Sequence, residues 1–200
     1  FLKMDIRKYF DSIDHEILYG LLCRQFKDRA LKELFGRIIE SYETTSGKGL
    51  PIGSLTSQHF ANFYLAPLDR FVKETLRCRA YVRYMDDFVI WSDEREKLKE
   101  ILPLLTRFLE ERLRLHFKEA PFINRTSQGM DFLGYRLFPG KTRLNRRSKQ
   151  RFLRKWRSYV DDFHFGVLDE SSLQERVTAL LTFLQHADTE GFRRKVFFDS

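Results

Sequence analysis

The 200-residue sequence predicts an α+β protein, an antiparallel sheet backed by helices and followed by an all-helical tail. Three observations predict it. Two strand-like stretches carry acids, several apolar stripes recur at helix period, and the composition turns basic from Lys141 onward.

The most informative stretch is Tyr81-Val82-Arg83-Tyr84-Met85-Asp86-Asp87-Phe88-Val89-Ile90-Trp91, where two adjacent carboxylates interrupt strand-forming residues. Aspartate is depleted in strands, so this pattern reads as a tight hairpin with acids at its turn. Apolar residues on both sides bury the hairpin and leave its tip accessible. Neighbouring buried carboxylates raise each other's pKa unless cations neutralise them, and hard oxygen ligands suit magnesium or manganese. An acidic surface turn is the bland alternative. Phe1-Leu2-Lys3-Met4-Asp5-Ile6-Arg7-Lys8-Tyr9-Phe10-Asp11 is again strand-like, with Asp5 inside it and Phe10 five positions later. With the strands side by side, Asp5, Asp86 and Asp87 bracket a pair of metal ions of the kind that clamps the attacking and leaving oxygens of phosphoryl transfer. As bare spacing the triad is only moderately specific, because acids are common.

Helices fill the intervals. Ile17, Leu18, Leu21 and Leu22 give one stripe; Leu31, Leu34, Phe35, Ile38, Ile39 and Tyr42 give a second. Both read as core. Residues 44–53 form a loop rich in glycine and proline. A helix over 57–76 follows, kinked or interrupted at Pro67, and another over 93–115, capped by Asp93 and carrying Pro103. Strands and turns occupy 116–144, including Phe132-Leu133-Gly134-Tyr135.

Beyond Lys141, basic residues crowd a short span, with Phe152, Trp156, Tyr159 and Phe163 at helix spacing and Ser148 as the expected cap. This is an amphipathic helix with a basic face. Phosphate contact through Arg147, Arg151 and Arg154 is favoured over a merely solvated face. A last helix carries Leu173, Val177, Leu180, Leu181 and Leu184, with Ser172 and Glu175 at capping-box spacing.

Net charge is +8 and the calculated pI is about 9.5, so a polyanionic partner is expected. Nucleic acid is favoured over a membrane, since no apolar run approaches the roughly 18 residues of a spanning helix. Cys23 and Cys78 lack metal-ligand spacing and read as free thiols of a reducing cytosol. No signal peptide is visible. The chain opens in a strand without an initiating methionine, so a fragment of a longer protein is expected.

These pieces, in this order, resemble the right-hand polymerase palm and thumb of a reverse transcriptase. Tyr84-Met85-Asp86-Asp87 resembles the family's catalytic hairpin, and Asp5 with Phe10 its first catalytic strand. Gly49-Leu50-Pro51-Ile52-Gly53-Ser54-Leu55-Thr56-Ser57-Gln58 resembles the loop and helix start that hold template and nucleotide. Phe132-Leu133-Gly134-Tyr135 resembles the primer grip, and the basic tail resembles the thumb. Each motif alone is weak; four in the family's order are strong.

The resemblance implies an RNA-directed DNA polymerase. Residues 1–144 would form the palm with part of the fingers, and 145–200 a helical thumb. Asp5, Asp86 and Asp87, with the Ile6 carbonyl, would bind two magnesium ions, with manganese able to substitute. Phe10 would lie under the incoming sugar and exclude a 2′-hydroxyl, ordinary core packing being the alternative. Ile52, Gly53, Gln58 and Met85 would contact nucleotide or template. Lys118 would act as general acid at the leaving phosphate, unless it is a plain surface lysine.

Implied partners are template RNA, a DNA primer and deoxynucleoside triphosphates, in the cytoplasm of a bacterium or a phage host. Many members have glutamine before the loop glycine and Ser-Pro where this chain has Ser57-Gln58. Ile52 before Gly53 resembles the error-prone diversity-generating retroelement type, which works with a small basic oligomeric accessory protein. Group II intron or retron enzymes, and a catalytically silent RNA-binding palm, are the alternatives. The family places an upstream fingers segment before the first catalytic strand. These 200 residues alone are therefore expected to bind nucleic acid but to polymerise poorly.

Overall fold

Strand β1 (Leu2–Asp5) alternates buried and half-buried residues, so Leu2 and Met4 face the core while Lys3 and Asp5 share the other face. It follows that one short strand can anchor a core and present an acid. The computed structural model, which describes residues 1–197, divides into two compact units, the first Phe1–Asn124 and the second beginning at Arg125.

The first unit holds a four-stranded antiparallel sheet in the order β2-β3-β1-β4, with β2 at Ala80–Tyr84, β3 at Asp87–Trp91 and β4 at Phe122–Ile123. The core side of the sheet, from Leu2, Met4, Phe88 and Ile90, packs against helices. After β1 the chain turns at once into a short helix α1 (Tyr9–Ser12), so the strand is shorter than the 1–11 pattern implies. Then come α2 (His15–Gln25) and α3 (Arg29–Glu40), capped by the carboxylates of Asp14 and Asp28. Leu34 of the expected apolar stripe is exposed, as is Tyr42 beyond the helix end.

The helix expected over 57–76 is three consecutive pieces. Helix α4 (Leu55–Tyr64) gives way to α5 (Ala66–Arg70), with Pro67 in its first turn, where a missing N–H costs nothing. A π-helical turn, Phe71–Thr75, completes the run. Helix α6 (Arg95–Leu113) stays continuous through Pro103, which lies on its exposed side opposite buried Leu98, Ile101, Leu105 and Leu109. Its cap position is Glu94, not Asp93; the Ser92 hydroxyl accepts from the Glu94 amide at 3.2 Å.

The second unit begins with an antiparallel meander, β5 (Met130–Phe132), β6 (Tyr135–Phe138) and β7 (Lys141–Leu144). Helices α7 (Arg146–His164), α8 (Glu170–Gln185) and α9 (Glu190–Phe197) follow. Sheet and helices share one core: Leu144 packs with Phe152, Leu184 and Val196. The Tyr135 hydroxyl donates to the Phe183 carbonyl at 2.9 Å, and the Asp188 amide to Thr142 at 2.8 Å. The unit therefore starts at Arg125, ahead of the compositional boundary at 144/145, and is not purely helical.

Two caps also differ from expectation. Asn145, not Ser148, caps α7, its side chain accepting from the Ser148 amide at 2.8 Å while Ser148 itself is buried. Asp169, not Ser172, caps α8, accepting from the Ser172 amide at 2.8 Å. A carboxylate or amide three residues upstream outcompetes the serine in each case. No helix among the described residues is long and apolar enough to cross a membrane.

Candidate active site

Met85 and Asp86 form a two-residue turn between β2 and β3, with Tyr84 paired to Asp87 at its base. Met85 takes left-handed backbone at φ 54°, a conformation costing a non-glycine residue about 1–2 kcal/mol. Strain of this kind persists where the surroundings hold it, often at functional sites. Across the sheet Asp5 is the register partner of Asp87, so their side chains rise from the same face. The Asp5 carbonyl accepts from the Lys118 amide at 2.9 Å, and Ile6 bridges Phe117, which brings the 117–118 segment alongside the acids.

Two lysines answer the acids. Lys118 Nζ lies 3.2 Å from Asp5 Oδ2, and Lys3 Nζ lies 3.2 Å from Asp87 Oδ2, reaching diagonally from the neighbouring strand. Asp87 Oδ1 is buried without a hydrogen-bond partner. Burial pushes the Asp86 carboxyl above the usual range, and the nearby Asp5 carboxyl adds to the rise by charge and by a side-chain hydrogen bond. Burial also raises Asp87, with Lys3 opposing it and Asp5 and Asp86 reinforcing it.

Among the described residues no three His, Cys, Asp or Glu side chains are gathered closely enough to hold a metal ion as they stand. The expected metal triad is thus neighbouring but not preformed. Lys3 and Lys118 pair with two of the acids. Its chemistry nonetheless fits a hard divalent cation: three carboxylates at neighbouring strand ends, two of them raised by burial, with one oxygen lacking any donor.

The other expected residues are distributed as follows. Phe10 is half-buried against the core, edge-on to Tyr9 at 5.8 Å, and its carbonyl accepts from the Leu50 amide at 3.0 Å. That bond ties α1 to the glycine-rich loop. Gly49 is required there: at φ 111° a Cβ would fall 2.6 Å from Thr44 Oγ1 and 2.9 Å from the Thr44 nitrogen. Ile52 is 79% exposed, so it does not pack the loop. Gly53 is exposed beside it, and Gln58 is exposed in the first turns of α4.

In the second unit, Leu133 and Gly134 make the turn between β5 and β6, both in left-handed backbone. A Cβ on Gly134 would meet Ser148 Oγ at 2.9 Å. Phe132 and Tyr135 pair at the turn's base. Arg147, Arg151 and Arg154 are all exposed on α7; Arg151 lies over the Phe183 ring at 5.9 Å.

Sequence reasoning missed Lys3 and the pair Arg83–Asp69, which braces the hairpin. The fold reveals the pair: Arg83 is the register partner of buried Phe88, so it stands on the core side of β2.

Residues 1–137 match the family described as Reverse transcriptase (RNA-dependent DNA polymerase). The chain belongs to the reverse transcriptase family. It is 25% identical over 205 residues to the group II intron-encoded protein LtrA of Lactococcus lactis subsp. cremoris, covering 68% of this chain and 34% of LtrA. An uncharacterized mitochondrial protein of Marchantia polymorpha is 26% identical over 182 residues, covering 91% of this chain and 21% of that protein. The chain thus spans about a third or less of the curated relatives it matches. Among solved structures, telomerase from Candida tropicalis in complex with the TWJ fragment of telomeric RNA aligns over 97% of this chain and 39% of its own, with a TM-score of 0.56 at 14% identity. Telomerase from Candida albicans gives a TM-score of 0.54, also at 14% identity. These likenesses establish an α+β polymerase fold with antiparallel sheets and helices.

Proposed function

We propose that this chain carries the catalytic centre of an RNA-directed DNA polymerase that adds deoxynucleotides to a primer by two-metal nucleotidyl transfer. The observation that carries it is the facing of Asp5 and Asp87 across β1 and β3, with Asp86 at the adjoining turn. Asp5, Asp86, Asp87 and the Ile6 carbonyl are the residues to hold two magnesium ions. Bound there, the ions would lower the pKa of the primer 3′-hydroxyl and neutralise the charge that builds on the triphosphate.

The chain's own residues do the rest by alignment. Lys118 would give a proton to the leaving pyrophosphate; its ammonium 3.2 Å from Asp5 supports that role. The Phe10 ring, tied to the loop through its carbonyl, is the group to sit beneath the sugar and exclude a 2′-hydroxyl. Gly53, Gln58 and Met85 line the nucleotide side. The turn at Leu133–Gly134 and the basic face of α7 are the surfaces for primer and for the RNA–DNA duplex.

The exposed side chain of Ile52 supports the finer reading, an error-prone enzyme of the diversity-generating type, working with a small basic oligomeric partner. The likeness to LtrA favours a second reading, a group II intron-type enzyme. A flanking near-repeat differing at adenines would separate the two.

The test is primer extension on an RNA template by the full-length protein with magnesium, beside its Asp86→Asn variant. Extension by the wild type alone supports the proposal. RNA binding without extension by either protein would make this a silent RNA-binding palm.

A further inference from the structure

Arg83 stands where the acidic hairpin meets two helices. Its Nε donates to Asp69 Oδ1 at 2.8 Å and its Nη2 to Asp69 Oδ2 at 2.5 Å, a fork-on-fork pair to α5. Its Nη1 donates to Asn62 Oδ1 of α4 at 3.2 Å and to the Met85 carbonyl at 3.0 Å. The Tyr81 hydroxyl donates to Asp69 Oδ1 at 2.7 Å and steadies that carboxylate from the side. The Arg83 side chain is only 11% exposed, so this guanidinium is a buried joint between elements.

The bond to the Met85 carbonyl is the one with consequences for chemistry. That oxygen belongs to the Met85–Asp86 peptide, whose plane sets both the left-handed turn at Met85 and the direction in which the Asp86 carboxylate leaves the backbone. Helix α4, which receives the same guanidinium through Asn62, begins directly after the Ile52–Gly53 loop. One side chain therefore connects the acid turn to the helix that leads away from the nucleotide side of the site.

We propose that Arg83, oriented by Asp69, is the positioning residue of the hairpin: it fixes the Met85–Asp86 peptide against α4 and so sets where the Asp86 carboxylate stands relative to the bound nucleotide. This rests on reading the site as a polymerase centre. Lysine cannot replace arginine here, because a single ammonium has no planar fork to hold Asp69 while reaching the Met85 carbonyl. A purely structural ion pair makes a different prediction. Breaking it lowers the melting temperature and leaves the folded fraction working at the normal rate.

The experiment uses the full-length protein and its Arg83→Lys, Asp69→Asn and Tyr81→Phe variants, each well below its melting temperature. Single-turnover nucleotide incorporation is measured against deoxynucleotide and against magnesium, and hydrogen exchange is followed at the amides of residues 84–88. Arg83→Lys and Asp69→Asn should slow incorporation about 10²-fold, the scale of an ångström of misplacement. Apparent deoxynucleotide affinity should stay within about threefold, the split expected when alignment and not binding is lost. Both variants should need more magnesium and exchange faster at the hairpin. The double variant should be no worse than the singles, because the two residues act as one unit. Tyr81→Phe removes one bond to Asp69 and leaves the Arg83–Asp69 fork, so it should slow incorporation less than either of those variants.

Folded variants that keep the wild-type rate, magnesium dependence and exchange would overturn the proposal. If one substitution prevents folding, the other decides. If the wild type itself does not extend a primer, the polymerase reading fails. The hydrogen-exchange comparison then decides the clamp, with unchanged exchange overturning it.

Discussion

Asp86 and Asp87 in the first unit and Asp169 and Asp188 in the second are all aspartates close to partners, yet their surroundings push them in opposite directions. Asp169 caps α8 by accepting from the Ser172 amide, and Asp188 lies 2.9 Å from Lys141; both are held below the usual carboxylate range by those bonds. Asp86 and Asp87 are raised, chiefly by burial, with Asp5 adding to each rise. The first kind of acid favours the folded chain. The second kind opposes it, and a sequence keeps such a group where something outside the chain relieves it. The difference separates acids raised by burial at the hairpin from acids lowered by a cap bond or an ion pair in the second unit.

The comparison breaks most visibly if an acid of the hairpin proves dispensable. Asp5→Asn should leave folding and RNA binding largely intact and lower nucleotide incorporation by roughly 10²–10⁴-fold, several kcal/mol of transition-state stabilisation. Near-normal extension by this variant, read in a primer-extension assay, would contradict the assignment.

The basic face of α7 gives the next largest effect. Replacing Arg147, Arg151 and Arg154 together should weaken RNA–DNA duplex binding and flatten its salt dependence, since each phosphate contact releases about one counterion. Arg151 already lies over Phe183, whereas Arg147 and Arg154 have no ionic partner among the described residues. The single changes at Arg147 and Arg154 should therefore cost more than the change at Arg151. Binding titrations at several salt concentrations check both statements.

A smaller effect sharpens the scaffold side. The folded pKa of Asp169 is lowered, so its contribution is present above the ordinary carboxylate range and is lost as pH falls through the lowered value. Asp169→Ala should melt below wild type at neutral pH, and the gap should close in acid. Thermal melts across pH test this, and a gap independent of pH would remove the carboxylate from the explanation.

The smallest expected effect lies at Ile52. A glutamine there can hydrogen-bond near the nascent pair, whereas an apolar side chain discriminates by shape alone, a difference of about 1–3 kcal/mol. Ile52→Gln should lower misincorporation opposite template adenine and leave other extension within a few fold. Sequencing cDNA from both enzymes on one template reads it, and equal adenine errors would end the fidelity role.

Much of the first unit was legible because its signals are local. Asp86 and Asp87 stand out where aspartate is disfavoured, and the stripes of α2, α3 and α6 follow from helix period. Less legible were features that depend on competition or on distant partners. Asn145 and Asp169 outcompete the serines downstream of them, and a motif of spacing alone cannot rank those acceptors. The meander 130–144 joins the helices through Leu144 and Tyr135, contacts between segments far apart in sequence that composition does not carry. Arg83 drew no reading of its own in the strand pattern; the register with Phe88 puts it beside Asp69. Lys3 and Lys118 were visible as lysines, but not as the ion-pair partners of Asp87 and Asp5.

The central proposal, that the hairpin acids hold divalent cations beyond what Lys3 and Lys118 offer them, is tested most directly by melting. The full-length protein and its Asp86→Asn variant are compared at neutral pH, first in chelator and then with magnesium. In chelator the variant should melt higher, because it no longer carries a desolvated charge beside Asp5. Magnesium should then raise the wild type and leave the variant nearly unmoved, since an ion stabilises only the fold that binds it. A wild-type melting temperature that ignores magnesium, together with an Asp86→Asn variant that melts lower in chelator, would contradict the account.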